Sequence, residues 1–270
     1  MRNSARHCFE SRYGKKYWVQ VPPPGLGASR FAFSIFKSGS TLLYNLLREI
    51  CLVNEIPVID LVSDAFEQGI RFHDIQPDIE KVFFPQGYLY LGFRTFFAFD
   101  LSFDLNSKRK VLLVRDPRDI LVSLYFSQRY SHVLPAEGEA AKSFIRARQR
   151  AMEMDLESFV LENVDYVREP FERYMTLDWN KNFRLYRYEE IIFRKREWIQ
   201  DLADYFDLSV SNELLRRLLE KYDILPEKEN PQAHIRQVRP GNYKKHLRPT
   251  CIEEITASLT DILQQYGYTL

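Results

Sequence analysis

The segment Arg30–Ile50, RFAFSIFKSGSTLLYNLLREI, passes from an apolar run to a small-residue loop and then to an amphipathic pattern. Phe31 to Phe36 is apolar and rich in aromatic residues, the kind of run that forms a buried strand. It breaks at Lys37-Ser38-Gly39-Ser40-Thr41. Leu42, Leu43, Leu46, Leu47 and Ile50 then recur at spacings of three and four, the period of a helix with one buried face. A strand feeding a small-residue loop that opens a helix can cradle a phosphate. Gly39 permits close backbone approach, successive N–H groups point outward, and the helix N-terminus adds positive potential. Lys37 stands at the mouth of the loop, and Ser38, Ser40 and Thr41 supply hydroxyl donors. An ordinary strand–turn–helix with a serine cap would share this pattern.

The chain has 270 residues, 45% of them hydrophobic, enough for one large core, and no Gly/Pro/Ser-rich linker divides it. Residues 1–29 contain Pro22-Pro23-Pro24 and are expected to form an irregular arm, with a single domain over 30–270. Lys and Arg number 38 against 37 Asp and Glu, a net charge of +1, so no global field attracts nucleic acid or a membrane surface. Anion binding must come from local clusters. Cys8, Cys51 and Cys251 lack metal-ligand spacing and suit a reducing compartment. No run reaches membrane-spanning length, and no apolar core follows the basic N-terminus, which predicts a soluble, cytoplasmic protein.

Further strands are predicted over Ile56–Leu61, Gly87–Phe97, Lys110–Val114 and Asn182–Tyr188, with residues 62–86 irregular. KVLLV (110–114) is a continuous apolar run, typical of the middle of a parallel sheet. Helices are expected from Pro117 to about Tyr130, through 137–175, and over 194–206, 211–221 and 251–266. Strands separated by helices define an α/β fold with a mainly parallel sheet, whose ligands bind beyond the carboxyl ends of the strands. Lys37 to Thr41, Asp60, Arg94 and Arg115 to Asp119 all fall at those ends.

Arg115-Asp116-Pro117-Arg118-Asp119-Ile120-Leu121-Val122-Ser123 follows the KVLLV strand directly. An arginine at a strand tip with a serine further along the helix can grip a phosphate, because the guanidinium presents a planar fork of donors. The plainer reading is a helix start capped by Asp116, with Arg118 and Asp119 in solvent. Taken together, FKSGSTLL and VRDPRDILVS resemble the two nucleotide-binding segments of the sulfotransferases that use 3′-phosphoadenosine 5′-phosphosulfate (PAPS). Tyr186-Arg187-Tyr188-Glu189-Glu190-Ile191 is similar to the family's strand-to-helix element near the adenine. His234-Ile235-Arg236-Gln237-Val238-Arg239-Pro240-Gly241-Asn242-Tyr243-Lys244 resembles its late basic loop. The resemblance covers about Phe31 to Leu247, in the family's order. It implies a P-loop-like sulfotransferase fold, PAPS as donor with no metal, and a hydroxyl-bearing acceptor. It also implies that Lys37, Ser38, Gly39, Ser40 and Thr41 bind the 5′-phosphosulfate, that Arg115, Ser123, Arg236 and Gln237 bind the 3′-phosphate, and that Tyr188 lies near the base.

The chain departs from the pattern at three places. Leu42 replaces the tryptophan common in cytosolic members, Arg236-Gln237-Val238 replaces Arg-Lys-Gly, and Phe93-Arg94 stands where those members carry a catalytic histidine. Sulfuryl transfer needs a cation at the bridge oxygen, where charge develops, and Lys37 fits that role. It also needs a base for the acceptor hydroxyl. Asp60 is the first candidate, at a strand end where some glycan-type members carry a carboxylate; His73, Asp64 and Glu67 follow. Arg94 suits an anion, either on the acceptor or on the sulfuryl group. Phe93, Phe96, Phe97, Phe99 and Phe103 serve as core or as an apolar acceptor pocket. A P-loop kinase or nucleotide hydrolase is the alternative, but it needs Lys after the second glycine of its loop, whereas Lys37 precedes the only one here. A non-catalytic nucleotide-binding protein on the same fold is the third reading.

Overall fold

The computed structural model describes residues 4–75, 77–131, 138–226, 228, 230 and 237–270. It begins with an antiparallel pair, β1 (Ala5–Glu10) and β2 (Lys16–Val21), joined through a turn in which Gly14 takes φ 75°. In KYWVQV the side chains of Tyr17, Val19 and Val21 are buried and those between them exposed, the alternation of a half-buried strand. The expected irregular arm is therefore a hairpin as far as Val21, because the prolines that block pairing begin only at Pro22. The hairpin is tied to the segment after the first crossover. Arg12 N donates to the Asp74 carbonyl (2.7 Å), and the buried Asp74 carboxylate accepts from Arg71 Nε (2.6 Å) and pairs with Arg12. Gln68 bonds the backbone of Trp18 in both directions, each at 2.9 Å.

The central sheet has five parallel strands: β3 (Arg30–Ser34), β4 (Val58–Ile59), β5 (Leu89–Tyr90), β6 (Lys110–Val114) and β7 (Phe183–Arg187), in the order β4-β5-β3-β6-β7. Both faces are covered, as the apolar runs require. Phe31, Phe33, Leu112 and Val114 face one core, and Ala32, Val111 and Leu113 face the other. Against these pack α1 (Ser40–Val53), α2 (Leu61–Glu67), α3 (Pro117–Phe126), α4 (Gly138–Glu153), α5 (Leu156–Glu162), α6 (Val164–Met175), α7 (Tyr188–Ile191), α8 (Lys195–Tyr205), α9 (Asn212–Tyr222), α10 (Tyr243–His246), α11 (Pro249–Ser258) and α12 (Thr260–Gln265).

Several expected elements are shorter or divided. Only Leu89 and Tyr90 of the predicted strand Gly87–Phe97 pair as a strand. Gly87 (φ 92°) and Gly92 (φ 99°) turn the chain on either side in conformations that no strand residue adopts. A side chain at Gly92 would also have its Cβ 1.9 Å from Asp60 Oδ1, so the glycine makes room for that carboxylate. Past it, Phe93, Phe96, Phe97 and Phe99 pack on one another and on Phe33 and Phe83, with Phe96–Phe97 centroids 4.5 Å apart and Phe97–Phe99 4.7 Å. Phe103 packs on Phe31. These rings are core. The stretch 62–86 holds α2 and two 3₁₀ turns, Phe72–Asp74 and Pro77–Val82, where an irregular segment was expected. Asp60 caps α2, and that local hydrogen bond outweighs the polar composition. The helical stretch 137–175 divides at Asp155, which caps α5, and at Asn163; the stretch 251–266 divides at Leu259. Among the described residues, no helix is long and apolar enough to cross a membrane.

Candidate active site

β3 and β6 are neighbours, and Ile35 N donates to the Leu113 carbonyl (3.0 Å), so the loops that leave them emerge side by side. In the first loop Lys37 takes φ 61° and Gly39 φ 90°. A left-handed lysine costs roughly 1–2 kcal/mol. Gly39 is required twice over, by its φ and because a Cβ there would lie 3.1 Å from Tyr188 Cδ2. Helix α1 opens with no side-chain cap and no acidic residue in its first turn. The amides of Ser40, Thr41 and Leu42 find no acceptor among the described residues, and the buried Ser38 Oγ has no hydrogen-bond partner. Open amides, an unfilled hydroxyl and a positive helix end make an anion cradle.

Arg115 leaves the end of β6 buried, with 5% of its surface exposed. Its Nη2 donates to Asp119 Oδ2 (3.0 Å) and its Nη1 to the Lys37 carbonyl (3.5 Å), while Nε has no partner. The guanidinium lies over the Tyr188 ring, 4.6 Å from its centroid. Burial opposes its charge most strongly, but Asp119, Tyr188 and Glu189 together outweigh it and the pKa of Arg115 is raised. Asp119 is fully buried and also accepts from Gly241 N (2.8 Å) and Tyr243 N (2.9 Å). Tyr188 donates its hydroxyl to the Val238 carbonyl (3.0 Å). The late loop is thus drawn down onto Arg115 by one carboxylate and one phenol. Gln237 precedes Val238 in that loop, and Ser123 lies half-buried on α3, two turns beyond Arg115. Arg236 lies outside the described residues.

Asp116 caps α3 by accepting from Arg118 N (2.9 Å) and pairs with the Arg118 guanidinium (2.8 Å). Arg118 and Asp119 are both buried, against the plainer reading that leaves them in solvent. Asp119 is the important residue that sequence reasoning passed over. Its signal was there: a carboxylate four residues after a strand-tip arginine, at the start of a helix, falls within reach of that arginine.

On the opposite side of Lys37, Asp60 ends β4 and is nearly buried at 7% exposure. Its Oδ1 caps α2 by accepting from Ser63 N (2.9 Å), and its Oδ2 pairs with Arg48 of α1. One turn on, the half-buried carboxylate of Asp64 has neither an ion pair nor a hydrogen bond among the described residues. Burial first, and then Asp60 and Glu67, push its pKa up to about 6. Glu67 is exposed. His73, on the 3₁₀ turn, is 61% exposed with Nε2 3.7 Å from Asp74 Oδ1. Desolvation holds its pKa below the usual imidazole value despite Asp74. The ring of Phe36, next to Lys37, packs tilted against Tyr166 of α6, with centroids 5.2 Å apart.

A profile of the sulfotransferase domain matches residues 31–266, and the chain belongs to that family. It is a sulfotransferase, an enzyme that transfers the sulfuryl group of PAPS, with the parallel P-loop-like sheet of the class. The fold is similar to that of mouse sulfotransferase SULT7A1 complexed with PAP, with a TM-score of 0.56 at 14% identity over 89% of this chain and 85% of that one. It is also similar to retinol dehydratase in complex with androsterone and inactive cofactor PAP, with a TM-score of 0.51 at 15% identity over 98% of each chain. No curated protein sequence matches significantly. The residues present fit the donor: a cradle of unfilled amides and Ser38 Oγ at α1 for one anionic group, and the spare Nε of Arg115 for another.

Replacing Asp119 tests the clamp. Asp119→Asn removes the charge that holds buried Arg115 and weakens two amide bonds, so stability should fall by about 2–4 kcal/mol. Urea unfolding measures this, and calorimetry should show a parallel loss of nucleotide affinity. Parent-like values in both would show that Asp119 does not hold the site together.

Proposed function

We propose that the sulfuryl group is received by a hydroxyl acceptor lying beyond the β4–β5 edge, with Lys37 and Asp64 on either side of the reacting atoms. The free cysteines Cys8, Cys51 and Cys251 support work in a reducing, cytoplasmic compartment. The observation that carries the reading is the pair of adjacent anion sites at the ends of β3 and β6, locked together by Arg115 and Asp119. In this reading the amides of Ser40 and Thr41 with Ser38 and Gly39 hold the 5′-phosphosulfate. Arg115, Ser123 and the late loop at Arg236 and Gln237 hold the 3′-phosphate, and Tyr188 supports both loops from beneath.

The acceptor oxygen attacks sulfur in line as the bond from sulfur to the bridge oxygen breaks. The acceptor proton passes to a carboxylate, and the charge on the bridge oxygen is met by the Lys37 ammonium. Asp60 was the first candidate for the base, but both of its oxygens are occupied, by an amide and by Arg48. Such a carboxylate is positioned rather than available. Asp64 has no ion pair or hydrogen bond among the described residues and a pKa pushed up to about 6, which suits a base, with His73 the second candidate.

Lys37→Ala should lower kcat by roughly two to three orders of magnitude, while affinity for the product nucleotide falls less than about tenfold. Single-turnover assays with calorimetry measure the split, and near-normal kcat would remove Lys37 from the chemistry.

The pH dependence identifies the base. Asp64 must be ionised to accept a proton, so kcat/KM should rise with pH through about 6 and then level off. The same raised pKa means that protonation favours the folded state. Stability from this group is present at low pH and is lost as pH rises through about 6. Asp64→Asn should abolish the limb and cost roughly two to four orders of magnitude in kcat, and His73→Ala should leave the limb in place. The reverse pattern assigns the base to His73.

A further inference from the structure

Arg94 lies within the aromatic segment past the carboxyl end of β5, directly after Phe93, and the strand beside it leads into the Lys37 loop: Ser34 N donates to the Phe93 carbonyl at 3.2 Å. Its guanidinium is half-buried and lies over the Tyr44 ring of α1, 5.0 Å from the centroid. Tyr44 is itself fixed, donating to the Phe93 carbonyl (2.6 Å) and to Ser34 Oγ (3.1 Å). Among the described residues no carboxylate or carbonyl accepts from the Arg94 guanidinium. This contrasts with the arginines around it. Arg48 is paired with Asp60, Arg71 with Asp74 and Arg115 with Asp119.

Two more polar atoms in this neighbourhood lack partners. Thr95 Oγ1 is buried without a hydrogen bond, and so is the hydroxyl of fully buried Tyr174. Tyr174 feels the Arg94 charge, which opposes the rise that burial imposes on its pKa. A guanidinium held over an aromatic ring with its donors unspent among the described residues is preorganised for an anion from outside the chain. The local carboxylate that might have filled the role, Asp60, is already held by Arg48 and Ser63.

We propose that Arg94 forms an anion subsite on the acceptor side of Lys37, so that the hydroxyl acceptor carries a second, anionic group such as a carboxylate, sulfate or phosphate. This rests on the reading of the β4–β5 edge as the acceptor side. An acceptor bound this way enters with its charge on Arg94 and turns a hydroxyl toward the Lys37 loop. The reaction then adds a second anionic group to a compound that already carries one.

The test uses matched probes with the donor phosphate sites blocked by saturating adenosine 3′,5′-bisphosphate. Methyl glucuronide and methyl glucoside differ by a carboxylate, as do 4-hydroxybenzoate and 4-hydroxybenzyl alcohol. Calorimetry on the full chain should show the acid of at least one pair binding roughly tenfold tighter or more. Arg94→Gln should erase that preference while bisphosphate affinity stays within about twofold, which also reports that the variant is folded. Equal affinities within both pairs, no detectable binding of either acid, or a preference that survives Arg94→Gln would each overturn the proposal. Failure of the sulfotransferase donor reading would appear separately, as loss of bisphosphate binding to the parent protein.

Discussion

A guanidinium taken out of water needs a charged partner and a use for its remaining donors, and the site is arranged around that requirement at Arg115. Asp119 supplies the charge. It also accepts the amides of Gly241 and Tyr243, so the partner that stabilises the arginine fastens the late loop as well. Lys37 contributes its carbonyl and Tyr188 its ring face, which ties the first loop to the same pair. Among the described residues, Arg115 Nε and Ser38 Oγ remain buried without hydrogen-bond partners, one at each loop.

The end of β4 follows a different logic. Three carboxylates lie near the end of β4, and the structure assigns them different work. Asp60 caps and pairs, Asp64 is half-buried with no partner for its carboxylate among the described residues, and Glu67 faces solvent. A carboxylate with both oxygens occupied is stable and poorly available, whereas an unpartnered one under partial desolvation has the raised pKa of a base. The hairpin β1–β2 steadies this region through Arg12, Asp74 and Gln68. A segment expected to be an irregular arm is thus tied to the chain that follows β4.

The two strand–loop–helix segments at Lys37 and Arg115 were legible in the sequence because their signals are local. KVLLV followed by Arg115, and FAFSIF followed by Lys37 and Gly39, each read as strand, loop and helix within a few residues, and the parallel pairing of β3 with β6 brings them together. The rest was less legible because its properties depend on partners far along the chain. Nothing near Asp60 announces Arg48 as its partner, and nothing near Asp119 announces the amides of Gly241 and Tyr243. The strand expected over Gly87–Phe97 failed for a related reason. Its apolar content is that of a buried strand, but Gly92 is there to clear the Asp60 carboxylate, a contact visible only in three dimensions.

The central claim is that the ends of β3 and β6 form two coupled anion sites, one for each end of the donor nucleotide. Comparing adenosine 3′,5′-bisphosphate with 5′-AMP by calorimetry tests it most directly. The account predicts that the bisphosphate binds more tightly by about 2–4 kcal/mol, the worth of the charge-assisted bonds to the second phosphate. Equal affinities would contradict it.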